Sequence, residues 1–329
     1  METLNFVVMG AGAWGTAMAI HLSKMNVKTV LVPRSEEKAA NMREKRENSY
    51  YLPNVSFPDN LIVDVAFESY VDENTVVFLA CPTQGLVQVC QLLKPLQSQL
   101  KCVISLVKGL NRSSLKTPSE MIASILPDVP VACLSGPTYA REFSLGKPAA
   151  MVLAGDFEGI LSLLQQRLST DSVRVYRSRD LRGVELGSCL KNIYAVGAGI
   201  LDGLELGDNA RSAYLTRALK EMAYLGVHLG GQKETFYGLS GLGDLIATAQ
   251  GSWSRNRSFG HDFARGETID ALLKDKTVEG YWSIECFEKL VKIYRLDAPI
   301  LESLYRVFYE NYALSLAVKS LMTRELKEE

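Results

Sequence analysis

The stretch "FVVMGAGAWGTAMAIHL", Phe6 to Leu22, decides how the first half of the chain is read. It opens as an unbroken apolar run of strand type, passes through three glycines, and continues directly into a helical pattern. Gly10, Gly12 and Gly15 stand in GxGxxG spacing at the junction. Gly10 permits a tight turn, Gly12 lets the backbone approach a pyrophosphate, and Gly15 lets the helix lie close on the strand. The pyrophosphate then meets the free N–H groups at the positive end of the helix. Glycines at this spacing are common, so the strand before them and the helix after them carry the inference. They predict a dinucleotide-binding strand-turn-helix unit.

Outward from this unit, the same alternation recurs. Strand-like runs "KTVLVP", "TVVFLACP", "KCVISLVKG", "VPVACLSGP", "PAAMVLAG" and "VRVYRS" are separated by helical patterns, which predicts a doubly wound, mainly parallel sheet of Rossmann type. From about Gly183 onward strand-like runs disappear and the chain reads as all-helical. The expected division is therefore a dinucleotide-binding domain over residues 1–182 and a helical substrate domain over residues 183–329.

Open sheets of this kind bind ligands beyond the carboxyl ends of their strands. Three loops fall there: "CPTQ", "VKGL" with Lys108, and "SGPTYA" from Ser135 to Ala140. Lys108 reads either as a solvated loop lysine or as a cation aimed at a ligand. The second strand ends in Pro33 and Arg34, where NAD-preferring sites commonly carry an acid; an arginine there suits a 2′-phosphate. Glu36 and Glu37 follow and pull the other way.

Composition narrows the function classes. The 329 residues carry 36 basic and 37 acidic side chains, a formal net charge of -1, with no basic block of the kind that binds nucleic acid. No apolar run approaches the ~20 residues of a membrane span, and the N-terminus has no basic region of a signal peptide. Cys81, Cys90, Cys102, Cys133, Cys189 and Cys286 show no CxxC spacing, so neither zinc nor a disulfide framework is expected, and a reducing cytoplasm fits.

In the helical half, "VELGSCLKNIYAVGAGILDG", Val184 to Gly203, predicts one buried helix with Lys191 in its middle. Leu186, Leu190, Ile193, Gly197 and Ile200 mark an apolar stripe, and Lys191 lies off it among small residues. It is either a snorkelling lysine or a cation serving a ligand, with the small residues making room beside it. "GLSGLGDLIAT" sets Asp244 and Thr248 one turn apart. Asp244 can cap the helix it begins or pair with a buried cation such as Lys191. Ser254, Arg255, Asn256 and Arg257 stand at an expected helix start, a combination suited to phosphate unless the segment is simply a solvated basic turn. "GDNARSAYLTRALKEM" opens with an Asp208/Asn209 cap signal. His21, His228 and His261 lack any partner spacing for catalysis.

In order and spacing, "GAGAWGTAMA", "YYLPNVSFPDNL", "VKGL", "LSGPTYARE", "GVELGSCLKNIYAVGAGILDGL", "GDNARSAYLTR", "GLSGLGDL", "SRNRSFG" and "VEG" resemble the NAD(P)-dependent sn-glycerol-3-phosphate dehydrogenase family of bacterial type. That resemblance spans nearly the whole chain. It implies reversible reduction of dihydroxyacetone phosphate to sn-glycerol 3-phosphate, a glycerophospholipid precursor, with NADPH preferred and NAD usable, in a cytoplasmic homodimer. By motif it makes Lys191 the proton donor and acceptor, with Asn192 beside it. Lys108 becomes a lysine facing both substrate and cofactor, and Asp244 and Thr248 a supporting polar pair. It puts Ser254, Arg255 and Asn256 at the substrate phosphate, Arg255 also near the cofactor, and Gly136, Thr138 and Ala140 on the loop between the two. Gly10, Gly12, Ala13, Trp14, Gly15, Arg34 and Glu279 fall on cofactor positions. Ala13, Val107 and Ser283 depart from the serine and two threonines common in the family, and Ala13 forgoes a hydroxyl contact to pyrophosphate. Two rivals remain at this stage: a related two-domain dehydrogenase for another hydroxy acid or phosphosugar, and a dinucleotide-binding redox sensor without turnover.

Overall fold

The computed structural model of the chain describes residues 4–251, 253–274, 277–325 and 328. Two compact units are formed. The first comprises Met1–Asn111 and Lys116–Glu185, the second Arg112–Leu115 and Leu186–Glu329.

The first unit is built on strands β1 (Asn5–Met9), β2 (Thr29–Val32), β3 (Leu61–Val63), β4 (Thr75–Leu79), β5 (Leu100–Ser105), β6 (Val131–Ser135), β7 (Ala149–Gly155) and β8 (Val173–Ser178). They form one sheet in the order 3-2-1-4-5-6-7-8, parallel throughout except where β6 meets β7. Strand β3, inside "NLIVDV", is absent from the sequence expectation, because three residues are too few to show a period. Its helices are α1 (Ala13–Ser23), α2 (Glu36–Lys45), α3 (Leu86–Leu93), α4 (Pro118–Ile125), α5 (Ala140–Ser144) and α6 (Glu158–Leu168). The central strands β1, β2, β4 and β6 read as continuous apolar runs because both faces are covered, whereas the edge strand β8, VRVYRS, alternates buried and exposed residues. Phe6 and Val8 of β1 join one core with Ala17 and Met18 of α1, while Val7 and Met9 join the other with Leu86 of α3 and Ile122 of α4. The order reverses at β1, which pairs with β2 on one side and β4 on the other, so the glycine turn after β1 lies at the topological switch point.

Helix α7 (Leu181–Gly203) runs from the end of the first unit into the second, and every residue from 183 to 200 is buried. A helix buried all round needs no polar face, which is why its sequence mixes Leu, Ile, Val, Ala and Gly on every side. The remaining helices are α8 (Gly207–His228), α9 (Lys233–Phe236), α10 (Asp244–Gln250), α11 (Arg255–Ala264), α12 (Ile269–Leu273), α13 (Glu279–Tyr294), α14 (Pro299–Tyr309) and α15 (Leu314–Met322). The expected cap at Asp208 and Asn209 is not formed. Leu206 holds the cap position without a side-chain bond, and Asp208 pairs with Arg211 at 2.6 Å. None of the described helices is long and apolar enough to cross a membrane.

Candidate active site

In the first unit, packing enforces two of the motif glycines. Gly10 has φ +112°, and a Cβ there would lie 2.9 Å from the Ala80 carbonyl; a Cβ on Gly15 would strike the Gly10 carbonyl oxygen. Gly12 differs, since a Cβ would meet nothing within 4 Å. It also takes the cap position of α1 in an extended conformation with no side-chain cap bond. A cradle open over a helix N-terminus fits the phosphates of a dinucleotide.

Around this turn, Asn48 is a residue the sequence reading missed. Its buried amide nitrogen donates to the Ala11 carbonyl at 2.9 Å and to Thr16 Oγ1 at 2.8 Å, holding the glycine turn and the first turn of α1 together. An asparagine in a loop carries no local sign of such a partner. Trp14 packs on the ring of Phe143 with centroids 5.0 Å apart, and Ala13 begins α1. Ala140 opens α5, which lies against α1. Arg34 is exposed, and Glu36 is paired with Arg43 instead. Lys108 is partly buried just beyond β5. Gly136 follows β6 with φ +156° and leaves no space for a Cβ against the Ala150 carbonyl oxygen, while Thr138 Oγ1 donates to the Gly136 carbonyl at 3.3 Å.

The second unit gathers Lys191, Asp244 and Thr248. Lys191 Nζ donates to Asp244 Oδ1 at 2.7 Å and to Thr248 Oγ1 at 2.6 Å, and Thr248 Oγ1 donates to Asp244 Oδ1 at 3.2 Å. Lys191 is 6% exposed and Asp244 2%. The snorkelling reading is therefore excluded, because the ammonium ends on a buried carboxylate rather than in water. Asp244 opens α10 with Gly243 at the N-cap position, and the ion pair expected with Lys191 is formed. A π turn over Leu239–Gly243 precedes Asp244; Gly241 is pressed against the backbone of Phe236, so "GLSGLGD" needs glycine for its own folding.

Ser254 caps α11, its Oγ accepting from the Arg257 N–H at 3.2 Å. The two arginines separate. Arg257 is tied by Nε to Asp202 at 2.7 Å, whereas Arg255 is exposed at the first position of the helix and forms no ion pair among the described residues. Asn256 braces the elements around Lys191. Its Nδ2 donates to Asn192 Oδ1 at 2.8 Å and its Oδ1 accepts from the Gly280 N–H at 2.9 Å. Asn192 Nδ2 donates to the Ser188 carbonyl at 3.3 Å. Glu279, at the start of α13, is partly buried.

The glycines of α7 are places of close packing within the second unit. A Cβ on Gly187 would lie 3.0 Å from the Ser240 carbonyl, one on Gly199 would strike the Arg257 carbonyl, one on Gly197 the Tyr214 hydroxyl, and one on Gly203 the His261 carbonyl.

Two buried acids also escaped the sequence reading. Glu185 accepts from the Ser119 N–H at 2.8 Å and the Ser119 hydroxyl at 2.5 Å, and burial pushes its carboxyl up to about 7 against those bonds. Glu221 accepts from Tyr194 Oη at 3.2 Å and from the Ile300 and Leu301 N–H groups at 2.8 and 2.9 Å, and burial again raises it to about 7.

Comparison with known proteins bears on both units. Residues 5–159 match the family model described as NAD-dependent glycerol-3-phosphate dehydrogenase N-terminus, and residues 180–319 match the corresponding C-terminus. A relative from Thermus thermophilus named glycerol-3-phosphate dehydrogenase (NAD(P)+) is 40% identical over 99% of this chain and all of its own. One from Bartonella henselae with the same name is 36% identical over all of this chain and 98% of its own. Among solved structures, glycerol-3-phosphate dehydrogenase from Coxiella burnetii superposes with a TM-score of 0.92 at 32% identity, covering 98% of this chain and 99% of the other.

Proposed function

The chain belongs to the NAD-dependent glycerol-3-phosphate dehydrogenase family, and from that premise we propose that it reduces dihydroxyacetone phosphate to sn-glycerol 3-phosphate, reversibly. The observation that carries the proposal is the buried Lys191 held by Asp244 and Thr248. Reducing a ketone requires hydride at carbon, a proton at oxygen and stabilisation of the developing alkoxide. A nicotinamide cofactor, when bound, supplies the hydride. Its phosphates belong at Gly10, Gly12, Ala13 and Gly15, and the family resemblance assigns Trp14, Arg34, Lys108, Ala140, Arg255 and Glu279 to it as well.

Lys191 supplies the proton. Its ammonium polarises the carbonyl oxygen and then donates to it, while Asp244 and Thr248 fix the position of Nζ. Arg255, exposed at a helix start and in no ion pair among the described residues, takes the substrate phosphate. Ser254 orders that turn, and the family resemblance assigns Asn192, Asn256, Lys108, Gly136 and Thr138 to the substrate as well. Arg34 favours NADPH over NADH, and Glu36 does not oppose it because Arg43 already engages that carboxylate. The six cysteines, five of them buried and none in a disulfide, suit a reducing cytoplasm, and the resemblance supports a homodimer. The redox-sensor alternative gives no reason to maintain a buried lysine, its carboxylate and an exposed arginine together.

The assay is loss of NADPH absorbance on adding dihydroxyacetone phosphate. The proposal expects rapid oxidation with that substrate and little with unphosphorylated dihydroxyacetone. NADPH binding without oxidation would support the sensor, and faster turnover of another 2-keto substrate would support the rival dehydrogenase.

A further inference from the structure

The segment after Lys108 carries an attachment that no motif announces. The chain leaves β5, passes Lys108 and Gly109, and reaches Arg112 four residues after the lysine. The loop is closed at its neck, the Asn111 N–H donating to the Lys116 carbonyl at 3.0 Å, and Leu115 within it adopts φ +58°. Its tip, Arg112–Leu115, is counted with the helices of the second unit. The reason is visible at Arg112. The guanidinium carbon lies 3.8 Å from the centroid of the Trp282 ring, and Nη2 donates to Glu285 Oε2 at 3.3 Å.

Both partners are on α13, which begins at Glu279. Trp282 and Glu285 are three residues apart and so stand on one helix face. Glu285 is itself steadied by Lys289 at 2.8 Å, and these two cations hold its carboxyl below the usual range, Lys289 contributing most. A guanidinium stacked on an indole and bonded to a carboxylate is held in both orientation and position, which a lysine achieves only in part. A closed neck transmits that fixation along a short loop. The neck ends at Asn111, three residues from Lys108.

We propose that Arg112 is a positioning residue for Lys108: clasped by Trp282 and Glu285, it fixes the loop that presents the lysine. The proposal rests on the assignment of Lys108 to the substrate site. Arg112 touches none of the proposed ligand groups and acts through the loop alone.

A double-mutant cycle tests it, with kcat/KM for dihydroxyacetone phosphate, the NADPH dissociation constant and the melting temperature read for each protein. Arg112→Ala is expected to lower kcat/KM about 10-fold in the wild-type background and less than about 2-fold in a Lys108→Met background, since residues acting as one unit are not additive. Because Lys108 is assigned to the cofactor site as well, NADPH affinity should fall along with kcat/KM in the wild-type background and not respond to Arg112→Ala in the Lys108→Met background, and Arg112→Lys should restore part of the loss because it keeps charge and stem. Trp282→Leu should reproduce the Arg112→Ala pattern. Equal losses in both backgrounds would make the clasp a general structural contact and overturn the proposal, as would unchanged kcat/KM in Arg112→Ala. If Lys108→Met alone retains full activity, the assignment of Lys108 fails, and the positioning role falls with it.

Discussion

The glycine turn of the first unit and the glycine-rich helix of the second use the same residue for opposite ends. At Gly12 the missing side chain leaves open space over a helix N-terminus, whereas at Gly197, Gly199 and Gly203 it is occupied at once by Tyr214 or by the backbone of α11. The first arrangement admits a ligand. The second admits another helix, and through it holds Lys191 within a rigid bundle. Small residues therefore report close approach without saying what approaches.

That contrast can be broken most severely at Gly199. Gly199→Ala places a methyl against the Arg257 carbonyl, backbone that cannot step aside. The expected cost is about 3 kcal/mol, the upper part of the overpacking range, which lowers the melting temperature by roughly 6 to 12 °C. Gly12→Ala should leave the melting temperature within about 1 °C, because nothing meets its Cβ, yet weaken NADPH binding measurably through lost pyrophosphate approach. Loss of stability in both would erase the distinction between the two glycine sets.

A second pair sharpens the comparison on one helix. Arg255→Ala should raise the KM for dihydroxyacetone phosphate by roughly 10- to 150-fold, equivalent to about 1.5 to 3 kcal/mol for a charge-assisted bond. Its melting temperature should hardly move. Arg257→Ala should do the reverse, lowering stability by breaking the Asp202 pair while sparing KM. Steady-state kinetics and thermal unfolding on both variants decide.

The smallest effect concerns a buried acid with backbone partners. Glu221 has its folded pKa raised above the unfolded value of 4.5, to about 7, so it binds its proton more tightly when folded. Its contribution is present below the unfolded pKa and is lost as pH rises through about 7. Glu221→Gln keeps one acceptor oxygen where the carboxylate offers two to Ile300 and Leu301, a loss that does not depend on pH, and does not titrate. The melting-temperature difference between wild type and variant should thus fall between pH 4.5 and 7 and level off above it. A difference independent of pH would remove Glu221 as the titrating group.

These residues also show where sequence pattern stops. The glycine turn, seven of the strands and the long buried helix are legible because each rests on local period or spacing. Lys191 and Asp244 are legible as candidates, since a buried cation and a buried carboxylate each demand a partner. Glu221 reads as an ordinary helical glutamate, because its backbone partners lie 79 and 80 positions away. Glu185 hides for the same reason, its partner Ser119 being 66 positions away. What packs on the glycines of α7 is hidden from the sequence because the approaching atoms belong to α8, α11 and the π turn, none adjacent in sequence. Strand β3 was lost to brevity.

The central claim is that Lys191 delivers the proton, and Lys191→Met tests it with the least ambiguity. Methionine keeps the length and apolar stem in a buried position while removing charge and proton. The account predicts near-normal NADPH binding with kcat reduced by at least the ~10² to 10⁴ typical of a lost general acid. A Lys191→Met protein that binds NADPH and keeps more than about a tenth of wild-type kcat would contradict it, since that deficit amounts to only ~1.4 kcal/mol.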